Sequence, residues 1–280
     1  MNEINFTKIT AAGNDFILID KRLNPDIILT SELIQSLCDR RFGIGADGVL
    51  TIDDHKKSDF KMEYFNSDGS DGMLCGNGAR SIIKYAEYSG RIKSNKTKFT
   101  FNDELFSGEV LSTNEIKFNL NEPKNLKLNF GISILNKSLN VSFIDTGAHH
   151  VVIDVSEFND EYKSLETIPV VKYGSAIRYS KYFNPPGTNV NFISISDGII
   201  NIRTFERGVE DETLACGTGS VASAMISYLN RKISTPIQLR TKSGEILTVD
   251  FEYKNEKFIN VSLIGPAKIV FEGKYKIRGN

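Results

Sequence analysis

Leu74-Cys75-Gly76-Asn77-Gly78-Ala79 and Ala215-Cys216-Gly217-Thr218-Gly219-Ser220 are two versions of one string. In each, a cysteine sits on a glycine-flanked turn that follows a strand-like run and opens into a helical pattern. The cysteines lie 141 residues apart in a chain of 280, about half its length. If the surrounding residues repeat too, the fold is a duplication and one active site draws a thiol from each half.

The surroundings do repeat. Gly13-Asn14-Asp15-Phe16-Ile17-Leu18-Ile19-Asp20 parallels Gly147-Ala148-His149-His150-Val151-Val152-Ile153-Asp154, and Ser107-Gly108-Glu109-Val110-Leu111 parallels Ser243-Gly244-Glu245-Ile246-Leu247. Pro123 and Pro266 close the two units. The offsets, 134, 141, 136 and 143, keep one order, and two copies make a duplicated domain, not a solenoid. Each unit reads as paired strands, a cysteine turn, a helix and a closing meander. Thr30 is placed to cap a short helix whose apolar face is Leu33, Ile34, Leu37 and Cys38. The main helices are expected from about Gly78 to Tyr88, stopped by Gly90, and from Cys216 to about Arg231. The second has no charged residue between Thr213 and Asn230, so most of its sides face a core. The expected class is α+β, with two pseudo-symmetric duplicated domains, each a curled, mostly antiparallel sheet around a central helix. The expected boundaries are 1–123 plus 267–280 for the half carrying Cys75 and 124–266 for the half carrying Cys216. Lys268–Ile277 would cross back to pair with the first half.

Bulk properties exclude several classes. A net charge of −1 offers no electrostatic reason for a nucleic-acid or membrane partner. No apolar run approaches the roughly 20 residues of a membrane span. Met1-Asn2-Glu3-Ile4-Asn5-Phe6 lacks the basic and apolar regions of a signal peptide. Three cysteines without a CxxC argue against a disulfide framework and a structural zinc site. A cytoplasmic location is expected.

A thiol at a helix start feels unsatisfied N–H groups and the positive end of the helix dipole, which favour the thiolate. The same N–H groups make a nest for a carboxylate. Two such nests would hold an α-carboxylate from both sides with a sulfur on each face of the neighbouring carbon. One thiolate then removes a proton and the other thiol returns one, inverting the centre; the pair titrates as a unit. His150 and Glu206 are the candidate bases or orienting groups beside the thiols. Cys38 fits an inert core position. A Cys75–Cys216 redox disulfide is the competing use of the pair. Gly43-x-Gly45-x-x-Gly48 matches a dinucleotide fingerprint but follows a helix and enters a strand, the reverse of the required context. Asn66-Ser67-Asp68-Gly69-Ser70-Asp71-Gly72 lacks the glycine spacing and closing Glu of a calcium loop. Glu206-Arg207 could be a solvated pair, but its place between a strand and the cysteine turn favours a substrate contact. No pyridoxal-phosphate signature is evident, and neither a cofactor nor a metal is expected.

Gly13-Asn14-Asp15-Phe16, Asn66-x-Asp68-Gly69-Ser70, Cys75-Gly76-Asn77-Gly78-Ala79-Arg80, Glu206-Arg207-Gly208 and Ala215-Cys216-Gly217-Thr218-Gly219 resemble the diaminopimelate epimerases, in order and over nearly the full chain. The resemblance implies a cofactor-independent two-base epimerase converting LL- to meso-diaminopimelate for lysine and peptidoglycan precursors, and a homodimer. It implies Cys75 and Cys216 as the acid/base pair, with His150 and Glu206 beside them. Gly76, Asn77, Gly217 and Thr218 would hold the carboxylate at the reacting centre, and Asn14, Asn66, Asn189 and Arg207 the rest of the substrate. Glu206 would touch substrate as well. The chain departs from the pattern twice. Ala148 stands where many members carry Asn, and Gly48 where some carry Gln. The alternatives are a racemase of another amino acid, a phenazine-biosynthesis-like isomerase, and a non-catalytic amino-acid binding protein.

Overall fold

The computed structural model describes residues 3–158 and 161–277. Met1 and Asn2 of the opening stretch and residues 278–280 of the closing one lie outside the described residues. The chain divides into two compact units, Met1–Asn119 with Gly265–Asn280, and Leu120–Ile264.

The first unit holds strands β1 (Glu3–Ala11), β2 (Asn14–Asp20), β3 (Gly48–Asp53), β4 (Phe60–Asn66), β5 (Lys96–Phe101), β6 (Glu104–Val110) and β7 (Glu115–Asn119), with helices α1 (Ser31–Cys38) and α2 (Gly76–Tyr88). It is completed by the last strand of the chain, β17 (Lys268–Lys276), which pairs antiparallel with β1. The sheet runs β17-β1-β2-β3-β4-β5-β6-β7, antiparallel except for β2–β3 and β4–β5. Thr30 caps α1, its Oγ1 accepting from the N–H of Leu33 at 3.3 Å. Ile34, Leu37 and Cys38 are buried against Ile4, Ile17, Ile19 and Val49. α2 is buried from Gly76 through Ala86, which is why the sheet can curl around it.

The second unit repeats this order: β8 (Lys124–Ile134), β9 (Lys137–Asp145), β10 (His149–Asp154), β11 (Asn189–Ser196), β12 (Ile199–Glu206), β14 (Ile237–Arg240), β15 (Ile246–Lys254) and β16 (Lys257–Pro266). Its parallel ladders, β10–β11 and β12–β14, fall where those of the first unit do. A short β13 (Asp211–Thr213) pairs antiparallel with the end of β12. The central helix α4 (Gly217–Arg231) is buried from Gly217 through Ser227. The expected α+β class is therefore observed: a mostly-sheet chain with four helices and curled, open sheet.

Three features went unread. α2 begins at Gly76, two residues earlier than expected, so Cys75 itself is the N-cap. β8 shows the alternation Leu126, Leu128, Phe130, Ile132, Ile134, yet only Ile132 and Ile134 are buried, and its ladder is broken twice by irregular register. Helix α3 (Val170–Arg178) buries Val170, Tyr173, Gly174 and Ile177, a clean helical stripe. A glycine inside a nine-residue stripe weakens the helical signal. The structure gives its reason, since a Cβ on Gly174 would lie 2.3 Å from that of Phe205.

Candidate active site

Cys75 and Cys216 occupy the same structural position in their units. Each is the N-cap of the buried helix, at φ −110°, ψ 120° and φ −117°, ψ 111° respectively. Ser, Thr, Asp or Asn usually fill this position because their oxygens accept from the first-turn N–H groups. Neither thiol makes that capping bond. The first turns, Gly76-Asn77-Gly78 and Gly217-Thr218-Gly219, therefore carry their donors toward whatever anion lies ahead of the helix. Cys75 is half-buried and Cys216 buried.

In the first unit Asn77 is buried, and its Nδ2 donates to Asn14 Oδ1 at 2.5 Å. Asn14 in turn donates to Asp47 Oδ2 at 2.9 Å, so the start of β2 and the start of α2 are held together. Asn66 ends β4 and is engaged in its own turn, donating to Ser70 Oγ at 3.0 Å. Arg80 lies one turn into α2, fully buried, with Nη2 on Asn77 Oδ1 at 2.7 Å and Nη1 on the Gly76 carbonyl at 3.3 Å. Gly48 has a packing reason of its own. A Cβ there would sit 2.6 Å from the Tyr64 ring and 2.5 Å from the Phe65 carbonyl, so Tyr64 fills the place a longer side chain would need.

In the second unit a buried polar chain leads to Cys216. Thr204 Oγ1 donates to Asn191 Oδ1 at 2.9 Å, and Asn191 Nδ2 donates to the Val151 carbonyl at 2.9 Å. These two bonds fix the amide orientation, because a carbonyl can only accept. Nδ2 also lies 3.1 Å from His150 Nδ1, which must then be the accepting nitrogen. His150 Nε2–H consequently points to Thr218 Oγ1 at 2.9 Å, and Thr218 Oγ1 is 3.7 Å from Cys216 Sγ. Burial, with smaller contributions from His149 and Arg207, pushes the His150 imidazole down to about 3. It is neutral at pH 7. Its route to the cysteine runs through the threonine hydroxyl. Gly219 is required beneath this chain, since a Cβ there would lie 2.3 Å from Asn191 Oδ1.

Asn189 opens β11 with Nδ2 on the His149 carbonyl at 2.9 Å and Oδ1 accepting from the Arg207 N–H at 2.8 Å. That bond sets the turn after β12, where Glu206 is the last strand residue and both Glu206 and Arg207 are half-buried. Arg178 grips the far side of the same turn through Glu210, Nη2 to Oε1 at 2.6 Å. Thr146 Oγ1 donates to the Thr218 carbonyl at 3.0 Å. In the first unit Asn14 and Asn77 are bonded to one another, in the second His150 and Thr218 are, and Asn189 joins the Arg207 turn, while Asn66 bonds within its own turn. Sequence reading did not single out Asn191, Thr204, Thr146 or Arg178. Asn191 alone had a visible signal: a polar residue inside the apolar run Val190–Ile193. Among the described residues, no group of three or more His, Cys, Asp or Glu side chains is placed to hold a metal ion. No helix among them is long and apolar enough to cross a membrane.

The family model for diaminopimelate epimerase matches residues 6–125 and 142–270. The chain belongs to the diaminopimelate epimerase family. It is 38% identical over 268 residues to the diaminopimelate epimerase of Chlorobaculum tepidum, covering 95% of this chain and 98% of that one. The corresponding protein of Flavobacterium psychrophilum is 40% identical over 267 residues, with 95% and 97% covered. Among solved structures, a phenazine biosynthesis protein of the PhzF family from Bacillus anthracis shares the fold, with a TM-score of 0.72 at 17% identity over 99% of this chain and 100% of that one. By family the chain is an amino-acid epimerase or racemase, an enzyme acting on a small molecule.

Proposed function

We propose that this epimerase converts LL-diaminopimelate to meso-diaminopimelate, without a cofactor, by a two-base mechanism. One cysteine, as thiolate, takes the α-proton; the other, as thiol, gives a proton to the opposite face. The roles exchange with the hand of the substrate. The observation that carries this reading is the matched N-cap placement of Cys75 and Cys216, with nearly equal backbone angles in two units of one topology. Gly76, Asn77, Gly217 and Thr218 supply first-turn donors to the α-carboxylate, where negative charge develops as the proton leaves. Asn14, Asn66, Asn189, Glu206 and Arg207 hold the remainder of the substrate. His150 is an orienting group: neutral and buried, it fixes the Thr218 hydroxyl toward Cys216. Asp and Glu side chains do not replace the thiols in this scheme, which separates it from a double-bond isomerase on the same scaffold. The product serves lysine and peptidoglycan-precursor synthesis in the cytoplasm, and the enzyme works as a homodimer, which sedimentation at micromolar concentration will test.

Cys75→Ala and Cys216→Ala test the mechanism directly. Each single variant is expected to fold and to lose turnover by at least about a thousandfold, the scale on which removal of an essential general base is felt. Normal epimerisation by either variant contradicts the two-base mechanism. A second reading, racemisation of another amino acid, is favoured by Ala148 and by the Tyr64 ring beside Gly48. Parallel assays with several amino acids distinguish the two.

A further inference from the structure

Four side chains of the first unit form a hydrogen-bonded chain that has one permitted direction. Arg80 Nη2 donates to Asn77 Oδ1 at 2.7 Å, Asn77 Nδ2 to Asn14 Oδ1 at 2.5 Å, and Asn14 Nδ2 to Asp47 Oδ2 at 2.9 Å. A side-chain amide can turn either its donating or its accepting end to a neighbour. The two ends of this chain remove that choice. Burial pushes the Arg80 guanidinium down to about 10, so at neutral pH it stays charged and can only donate. The Asp47 carboxylate, paired with Arg40 Nη2 at 2.7 Å, can only accept. Both constraints demand the same orientation of both amides. Arg80 and Asn77 are buried, and Asn14 and Asp47 are half-buried.

Asp47 is itself held in place. Its Oδ2 also accepts from the Asp15 N–H at 3.2 Å, and Arg40 bridges Asp47 and Asp15. The duplicated fold does not require the chain. Val221, Thr218 and Ala148 stand in the second half where Arg80, Asn77 and Asn14 stand in the first. Val221 and Ala148 have no polar side-chain atom, yet the parallel ladders of the two units correspond. What a fixed amide provides is recognition. The chain uses one hydrogen and one lone pair of Asn14, and it sets the directions of the second hydrogen and second lone pair. A substrate group that matches those directions binds without first ordering the amide. Resting on the assignment of Asn14 to substrate, we propose that Asp47 is a positioning residue which, with Arg80 at the opposite end, fixes the edge of the Asn14 amide that meets the substrate. Asp47 takes no part in proton transfer, so its effect falls on binding.

The test is a double-mutant cycle on LL-diaminopimelate turnover, using Asp47→Asn, Asn14→Ala and the two together. Asp47→Asn replaces a group that only accepts by one that can also donate, so the chain loses its direction at that end. It is expected to raise KM about tenfold with kcat within about threefold of the wild type, the pattern of lost uniform binding. Asn14→Ala is expected to raise KM at least as far. The double variant should match Asn14→Ala alone, because Asp47 then has no amide to position. Effects that multiply, or an unmoved KM in folded Asp47→Asn, would overturn the proposal. A second readout needs no substrate: the side-chain amide signals of Asn14 by NMR, identified by their loss in Asn14→Ala. In the wild type one Nδ2 proton is expected downfield of the other through its bond to a carboxylate, and Asp47→Asn is expected to move it upfield. Should Asp47→Asn fail to fold, the wild-type pair decides, and two protons at ordinary side-chain positions overturn the proposal. A wild type inert on LL-diaminopimelate but with the displaced proton refutes the substrate reading alone. Turnover with ordinary Asn14 protons refutes only the role of Asp47.

Discussion

Three cysteines of one chain meet three different environments, and their chemistry follows from position. Cys38 lies on the buried face of α1, where desolvation pushes its thiol up to about 12. It is expected to resist alkylation in the folded protein, and Cys38→Ala is expected to leave kcat within about twofold of the wild type, as a small core substitution should. Fast modification of Cys38 in the native enzyme would contradict this. Cys216 Sγ lies 3.7 Å from the Thr218 hydroxyl, which ends the buried chain from His150. Thr218→Val removes that hydroxyl with little change of shape. A hydrogen bond to a charged group contributes about 1.5–3 kcal/mol, so kcat is expected to fall roughly tenfold or more. Unchanged steady-state kinetics in Thr218→Val would show that His150 does not act through this hydroxyl.

At the scale of elements, the controlling contact is α4 against β10 and β11. Gly219 lets the first turn approach Asn191, and a methyl group there has no free direction. Gly219→Ala is expected to destabilise the protein by about 1–3 kcal/mol, the usual cost of overpacking, measured by urea unfolding. A stability equal to wild type would mean that the helix start is not held where described. His150 adds a pH signature. Its folded value lies below the ordinary imidazole value of roughly 6.5, so the unfolded chain binds the extra proton. Stability from this group is complete above that ordinary value and declines as pH falls from there toward about 3. His150→Gln is expected to flatten that decline, and an identical pH–stability curve would contradict the assignment.

Much of this was legible in the chain. The duplicated cysteine turns, the glycine-flanked helix starts, the Thr30 cap and the return of Lys268–Ile277 to β1 all follow from spacing and turn chemistry. α3 and β8 were not, because local signals there are diluted: a glycine breaks the helical stripe, and solvent faces most of an edge strand with irregular register. The polar chain behind Cys216 was invisible for another reason. Asn191, Thr204 and His150 are brought together by pairing of β10, β11 and β12, and no spacing in one strand records what a neighbouring strand presents.

For the whole molecule, the proposed two-base chemistry rests on duplication. The repeated unit gives two helix starts with nearly equal backbone angles but different side chains around them, buried Arg80 after one and the His150–Thr218 chain beside the other. Two bases of this kind leave a distinctive isotopic record, because each proton delivered to the product comes from a thiol that has exchanged with solvent. The most direct measurement is turnover of LL-diaminopimelate by the reduced enzyme in heavy water, with deuterium read at each α-carbon from the first turnovers onward. The account requires deuterium at the inverted centre of meso-diaminopimelate, with little in the unreacted substrate during those early turnovers. Inversion with the original hydrogen retained, or no inversion at all, would contradict it.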